Sequence, residues 1–137
     1  MWWTYALLSA FFAALTAILA KKGIANIDSD LAMAIRTIVI LVLAWTFAYY
    51  KGSISTIDKL STKNWTFIIL SGVATGLSWI FYFKALQVGK VSQVAPVDKL
   101  SLALTIILSI VFLGEALTWQ TALGSTLIIG GVFVLIL

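Results

Sequence analysis

Cysteine and histidine are both absent from this chain of 137 residues, and proline occurs once. The absence of cysteine excludes disulfides and thiol chemistry, and the absence of both residues removes the commonest zinc ligands. The sequence also shows no paired carboxylates for general acid–base work. We therefore predict that the chain is not an enzyme and that it holds no metal ion and no cofactor.

Charged residues are scarce as well: they make up 10% of the chain, whereas hydrophobic residues make up 62%. A soluble domain of this size could not build its surface from so few polar side chains, so lipid is the expected solvent. The chain has a net charge of +4, and its lysines are scattered near helix ends and in connections, a pattern that suits lipid headgroups. We expect membrane lipid as a partner, and no nucleic acid.

Five apolar stretches are each long enough to span a bilayer, which takes roughly 20 residues per helix. They predict an all-α membrane protein, a bundle of five transmembrane helices in a single domain over residues 1–137. The first stretch has no basic region before it and no cleavage site after it, so we interpret it as a retained helix and not a signal peptide. The predicted spans are residues 3–20, 31–50, 65–88, 91–113 and 117–137.

The connections between the spans are short. In the first, Gly23 marks a helix end, and the acidic residues before the second span are suited to N-cap it. The longest connection, residues 51–64, carries Ile54, Ile57 and Leu60 at a spacing of three, which fits either a segment lying on the headgroups or a solvated loop. The last two connections are so short that spans three, four and five must form consecutive antiparallel hairpins.

Positive charge hardly distinguishes the two sides of the membrane. Three loop lysines fall on one side and three on the other, with only a modest excess toward the first from Arg36 and Lys84. An odd number of spans also places the termini on opposite faces. A second copy fused in tandem would therefore be inserted in the opposite orientation, which is how inverted-repeat transporters arise.

Several short motifs in the second half of the chain carry a family resemblance. They are Gly-Val-Ala-Thr-Gly-Leu-Ser-Trp at 72–79, Phe-Lys-Ala-Leu at 83–86, Val-Ala-Pro at 94–96, Leu-Gly-Glu at 113–115 and the glycine-rich stretch 124–131. In this order they resemble the EamA-type drug/metabolite transporter superfamily, particularly its single-domain, five-helix members. The resemblance implies one half of a ten-helix inverted-repeat transporter, which exports or exchanges a small metabolite or drug-like solute across the cell (plasma) membrane. Asp98-Lys99 departs from the ten-helix members, where apolar residues are usual.

Charged side chains inside a span cost roughly 2.5–3.5 kcal/mol each at the helix centre, so each one needs a reason. The candidates are Arg36, Lys84, Asp98 and Lys99. In a purely structural interpretation, Asp98 pairs with Arg36 or Lys99, and Lys84 extends to the headgroups. In a functional one, Asp98 and Arg36 form a pair that solute or a proton breaks, and Lys99 assists.

Hydroxyl groups repeat along one face of the third and fourth spans. Such stripes either line a solute pathway or act as interhelical contacts worth about 0.6 kcal/mol per hydrogen bond. Trp79 and Tyr82 are candidates for stacking on a solute, although core packing also explains Trp79. The stripes are Ser71, Thr75, Ser78 and Tyr82 in the third span, and Asp98, Ser101, Thr105 and Ser109 in the fourth.

Two backbone features complete the candidate residues. Pro96 cannot donate to the carbonyl of Ser92 and predicts a kink in the fourth span just before Asp98. In the fifth span, small residues at a spacing of four predict either a dimer contact or packing within one subunit. These residues are Ala122, Thr126 and Gly130.

Together these patterns predict a transporter of a small-molecule solute that works as an antiparallel homodimer, with its site between the second, third and fourth spans. Asp98, Arg36, Lys99 and Tyr82 would bind or gate, and the hydroxyl stripes would supply hydrogen bonds. Two other hypotheses remain open: a non-transporting membrane subunit of a heteromeric complex, and a flippase for lipid-linked metabolites.

Overall fold

The computed structural model describes residues 1–137, and every regular element in it is helical. Five segments are long and apolar enough to cross a membrane, which confirms an all-α protein with five membrane spans. The fourth segment, Val91–Leu113, consists of three helical pieces that end in a π-helical turn, Ser109–Leu113. The α-helices are α1 (Trp2–Gly23), α2 (Ser29–Tyr50), α3 (Thr62–Val88), α4 (Val91–Asp98), α5 (Leu100–Leu108) and α6 (Trp119–Ile136).

Side chains in the connections determine where α2 and α6 begin. The Asp28 carboxylate accepts hydrogen bonds from the backbone N–H groups of Asp30 at 2.9 Å and Leu31 at 3.2 Å. These bonds satisfy two of the free donors in the first turn of α2. At α6 the hydroxyl of Thr118 accepts from the N–H of Thr121 at 3.2 Å. The acidic N-cap predicted for the second span is confirmed.

The longest connection contains a 3-10 helix, Ser53–Lys59, which starts after Gly52 in a left-handed conformation with φ +67°. Because a 3-10 helix has three residues per turn, Ile54 and Ile57 lie on one face of it. The N–H of Leu60 closes the helix by donating to the carbonyl of Ile57 at 3.2 Å. An apolar face on this segment favours the interpretation in which it lies on the headgroups.

The fourth span is interrupted at Lys99, between α4 and α5. The N–H of Lys99 donates to the carbonyl of Pro96 at 3.0 Å, three residues back, as at a helix end. The interruption therefore follows Asp98, whereas Pro96 predicts a kink just before it. The difference arises because the hydrogen bond from Lys99 spans three residues and not four, so the regular helix ends after Asp98, at the C-terminus of α4.

The chain divides into two compact units, one of Leu19–Gln87 and one of Met1–Ile18 with Val88–Leu137. In the second unit α6 packs against α4 and α5, so the fourth and fifth spans form the predicted hairpin. Most apolar side chains of the spans are exposed, meaning that the chain itself does not cover them, and lipid is their natural solvent. The buried residues are Ile24, Ser29, Phe83 and Leu86 in the first unit, and Ala17, Ala103 and Val132 in the second.

Candidate functional site

Arg36 lies inside the second span, roughly 10 Å along the axis from the start of α2. The carbon at the centre of its guanidinium group is 4.4 Å from the centroid of the Trp79 ring and 5.4 Å from that of Phe83. Both distances are within the range of a cation–π interaction, about 6 Å. The two rings therefore offset part of the cost of placing this charge in a span.

Helix α3 presents these rings because Trp79 and Phe83 are four residues apart and thus share a face. Phe83 is only 2% exposed, and Leu86, one turn further on, is 0% exposed. Tyr82 is half-buried beside them and interacts electrostatically with Arg36. The C-terminal part of α3 is therefore an aromatic platform beside the guanidinium group.

Arg36 belongs to neither of the two ion pairs in the chain, and none of its N–H groups donates a hydrogen bond to a residue of the chain. Guanidinium has five N–H donors in one plane. Trp79 and Phe83 lie within cation–π distance of the group, whereas none of these donors has an acceptor in the chain. A pairing of Arg36 with Asp98 stays a prediction.

Lys84 forms one of the ion pairs, with its Nζ 3.3 Å from Oδ2 of Asp30. Asp30 lies in the first turn of α2, so the pair joins α2 to α3 near Arg36. The sequence predicts that Lys84 extends to the headgroups, but the structure gives it a carboxylate partner. Both side chains remain 53% exposed, so this pair contributes little to stability.

The end of α3 is also held by the connection between α1 and α2. Nζ of Lys21 donates hydrogen bonds to the carbonyls of Leu86 and Gln87, which lie among the last carbonyls of α3. The side-chain amide of Gln87 donates to the carbonyl of Ile27 at 3.1 Å. A lysine that donates to terminal carbonyls satisfies acceptors that the helix itself cannot pair.

Asp98 and Lys99 form the second ion pair, with Lys99 Nζ 3.1 Å from Asp98 Oδ2. The pair lies at the break between α4 and α5, within the fourth span. Of the two structural partners predicted for Asp98, the structure therefore shows Lys99. The two opposite charges therefore lie together at the point where the helix of the fourth span is interrupted.

The hydroxyl stripes are exposed over most of their length. Thr75 donates to the carbonyl of Ser71 at 2.9 Å, and Thr105 donates to that of Ser101 at 2.8 Å. These threonines form hydrogen bonds within their own helices and do not connect neighbouring helices. Ser78 and Ser101 form no side-chain hydrogen bond within the chain.

The small residues of α6 are distributed over a different face from its buried residue, Val132. Thr126 and Gly130 are exposed, and Ala122 is half-buried. A side chain added at Gly130 would meet no atom of the chain within 4 Å. This stripe is therefore not used for close packing within one subunit.

Comparison with known proteins places the chain among transporters. The family model described as the EamA-like transporter family matches residues 1–137. The chain belongs to this family. The EamA assignment confirms the resemblance carried by the motifs of the second half, and with the five apolar helices it makes the chain a multi-pass membrane transporter.

Two other proteins have amino-acid sequences similar to that of this EamA-family chain. A protein of a Sinorhizobium species, named an uncharacterized transporter in the cobO 3′ region, is 45% identical over 134 residues, 98% of this chain and 95% of that protein. An uncharacterized protein of Methanocaldococcus jannaschii is 37% identical over 86 residues, 63% of this chain and 60% of that protein. No solved structure matches the chain.

Sequence reasoning places Arg36, Trp79 and Tyr82 among the site residues of this EamA-family protein, and the structure brings these three together. It does not predict Phe83, Asp30 or Lys21 as their neighbours. The only available signal is the Phe-Lys dipeptide at 83–84, which lies within a family motif. Nothing in the spacing of Lys21 indicates that it reaches the end of α3.

Proposed function

We propose that this protein transports a small metabolite or drug-like solute across the plasma membrane, as an exporter or exchanger. The observation that carries the proposal is the interrupted fourth span, with Asp98 and Lys99 at the break. Interrupted helices inside the membrane are tolerated where they are buried in protein or line a cavity, and in many transporters they bind the solute or the coupling ion. In this mechanism solute or a proton competes for the Asp98 carboxylate and releases Lys99.

The hydroxyl stripes support the same mechanism. Ser78 in α3 and Ser101 in α5 each have a hydroxyl group without a partner in the chain, and each of these hydroxyls can bond to a solute. The acceptor lone pairs of Thr75 and Thr105 are also available, because each hydroxyl uses its hydrogen within its own helix. These groups would replace part of the water that the solute loses on entering the membrane.

The transport test compares two aspartates that carry the same charge in different places. In proteoliposomes, tracer flux of a panel of small carboxylates, amines and nucleosides identifies a solute that the wild-type protein moves faster than empty vesicles do. We expect Asp98→Asn to reduce that flux at least about ten-fold, the size of a typical lost charge-assisted interaction. Asp58→Asn, in the exposed 3-10 helix, should leave flux unchanged. Full flux in Asp98→Asn would remove the proposed role of this carboxylate.

We further propose that the functional unit is an antiparallel homodimer. The five spans place the termini on opposite faces, and the balanced lysines permit either orientation. A second inverted copy would restore the ten-helix inverted repeat on which alternating access depends. The exposed stripe that includes Thr126 and Gly130 would let the backbones of two α6 helices approach closely.

Cysteine labelling tests the orientation directly, because the natural chain has no cysteine to react. Single cysteines at Ser53 and at Asn26, in connections on opposite ends of α2, are labelled from each side of intact cells with a membrane-impermeant maleimide. Dual orientation predicts that each cysteine is partly labelled from both sides. Complete labelling of each position from one side only would contradict the antiparallel dimer and favour a parallel assembly or a heteromeric complex.

A further inference from the structure

Arg36 lies beside two aromatic rings, and its hydrogen-bond donors are not used by the chain. The ring centroids of Trp79 and Phe83 lie 4.4 and 5.4 Å from its central carbon, and no acceptor of the chain bonds to its donors. We propose that these donors form the subsite for an oxyanion, a carboxylate or a phosphate, that the transported solute carries. This assignment of the substrate class rests on the proposed transport function.

The chemistry of these donors favours an oxyanion over other ligands. Two parallel N–H groups of guanidinium match two oxygens of a carboxylate or phosphate, and such bidentate bonds are among the strongest available to a side chain. Contact with Trp79 and Phe83 limits the movement of the group, which lowers the cost of ordering it when a ligand binds.

The neighbouring charges also favour an anion. Asp30 is engaged by Lys84 at 3.3 Å, and Asp28 caps the N-terminus of α2. Lys21 adds a further positive charge at the same end of α3. Because the nearby carboxylates have partners of their own within the chain, none of them neutralises Arg36.

Trp79 and Tyr82 indicate what else the ligand could carry. Both are half-buried, so each ring retains exposed surface beside the guanidinium group. A small apolar or aromatic body attached to the oxyanion would contact this surface while its charged end reached Arg36. Benzoate is the simplest probe with both parts, and benzamide is its neutral counterpart.

A lipid headgroup phosphate has the same chemistry as a solute phosphate, so the experiment separates the two sources. Binding of radiolabelled benzoate is measured by equilibrium dialysis on purified full-length protein in an uncharged, lipid-free detergent. In a second arm, dioleoyl phosphatidylglycerol or dioleoyl phosphatidylcholine is added to the micelles as competitor. We expect benzoate to bind, benzamide not to compete, and the two lipids to have equal, small effects.

Three variants link the binding to Arg36. We expect Arg36→Gln to weaken benzoate binding about ten-fold or more, as for a lost bond between charged groups. Arg36→Lys keeps the charge but loses the planar fork, so its affinity should be intermediate. Lys22→Gln removes one positive charge from an exposed position near by and should bind as the wild type does. Helical circular dichroism and gel filtration verify that each variant is folded.

Benzoate binding that is equal in wild type and Arg36→Gln, or absent in both, would overturn the subsite. Displacement of benzoate by phosphatidylglycerol but not phosphatidylcholine, together with loss of lipid binding in Arg36→Gln, would overturn the solute as the source of the oxyanion. The assay requires no flux. A protein that binds benzoate through Arg36 but transports nothing would refute the proposed function and leave the subsite intact. Transport without Arg36-dependent binding would refute the subsite and leave the proposed function intact.

Discussion

The two halves of α3 differ sharply in how much of them the chain covers. In the second half Phe83 is 2% exposed and the end of the helix bonds to Lys21, whereas in the first half Phe67 is 63% exposed. Both halves consist mostly of apolar residues. Since lipid solvates apolar side chains about as well as protein does, hydrophobicity alone does not bring membrane helices together. The covered half is the one whose rings face Arg36 and whose last carbonyls accept hydrogen bonds from Lys21.

The largest expected effect comes from removing the same ring in each half. Phe83→Ala should lower the free energy of unfolding by roughly 3 kcal/mol, because it opens a cavity beside Arg36 and removes one of the two rings near it. Phe67→Ala should change stability by less than about 0.5 kcal/mol, since lipid fills the space. Unfolding in mixed micelles with rising dodecyl sulfate measures both. Equal losses in the two variants would abolish the distinction between the halves.

A smaller effect is expected from replacing Lys21, which donates hydrogen bonds to the last carbonyls of α3. Lys21→Met should cost about 1 kcal/mol, because the carbonyls of Leu86 and Gln87 lose a donor. The matched change Lys22→Met, one residue further on, removes an exposed lysine and should be nearly neutral. The same unfolding assay applies, and amide hydrogen exchange over residues 83–88 should rise only in Lys21→Met. Unchanged exchange there would show that Lys21 does not hold the end of α3.

The smallest effect should come from the ion pair beside the platform. Asp30→Asn removes the partner of Lys84, yet both side chains are about half exposed, so we expect a loss below about 1 kcal/mol. High salt should reduce the difference between wild type and variant, because exposed pairs are screened. Asp58→Asn in the 3-10 helix provides the baseline for removing one exposed carboxylate. A loss far above that of Phe83→Ala would mean that charge, and not the rings, maintains the covered half.

The sequence was sufficient for the spans and for part of the site. Span positions depend on runs of apolar residues, and the Asp28 cap depends on neighbours within three residues, so both are local properties. The partners of Lys84 and Lys21 lie 54 and 65 residues away, respectively, and depend on how each helix is rotated about its axis. Hydropathy hardly constrains that rotation in lipid, because apolar side chains are distributed around these helices and lipid solvates them on any face.

The break at Lys99 illustrates the same limit at short range. Pro96 predicts that the fourth span bends, but the exact residue depends on which carbonyl the next free N–H group selects. The N–H of Lys99 bonds to the carbonyl of Pro96, three residues back, where a regular α-helix would use the carbonyl four residues back. The sequence therefore predicts that the span is irregular, but the residue at which it is irregular depends on the hydrogen bonds of the folded chain.

Gly130 has open space around it, and so do Gly72, Gly76, Gly124 and Gly131, at each of which an added methyl group would meet nothing within 4 Å. An isolated subunit should thus accept alanine at all five positions, and even gain helix propensity from it. Any of these positions that rejects alanine in a working membrane must face something that one copy of the chain does not contain. The five glycines therefore serve as built-in probes of the neighbours that surround this protein in the bilayer.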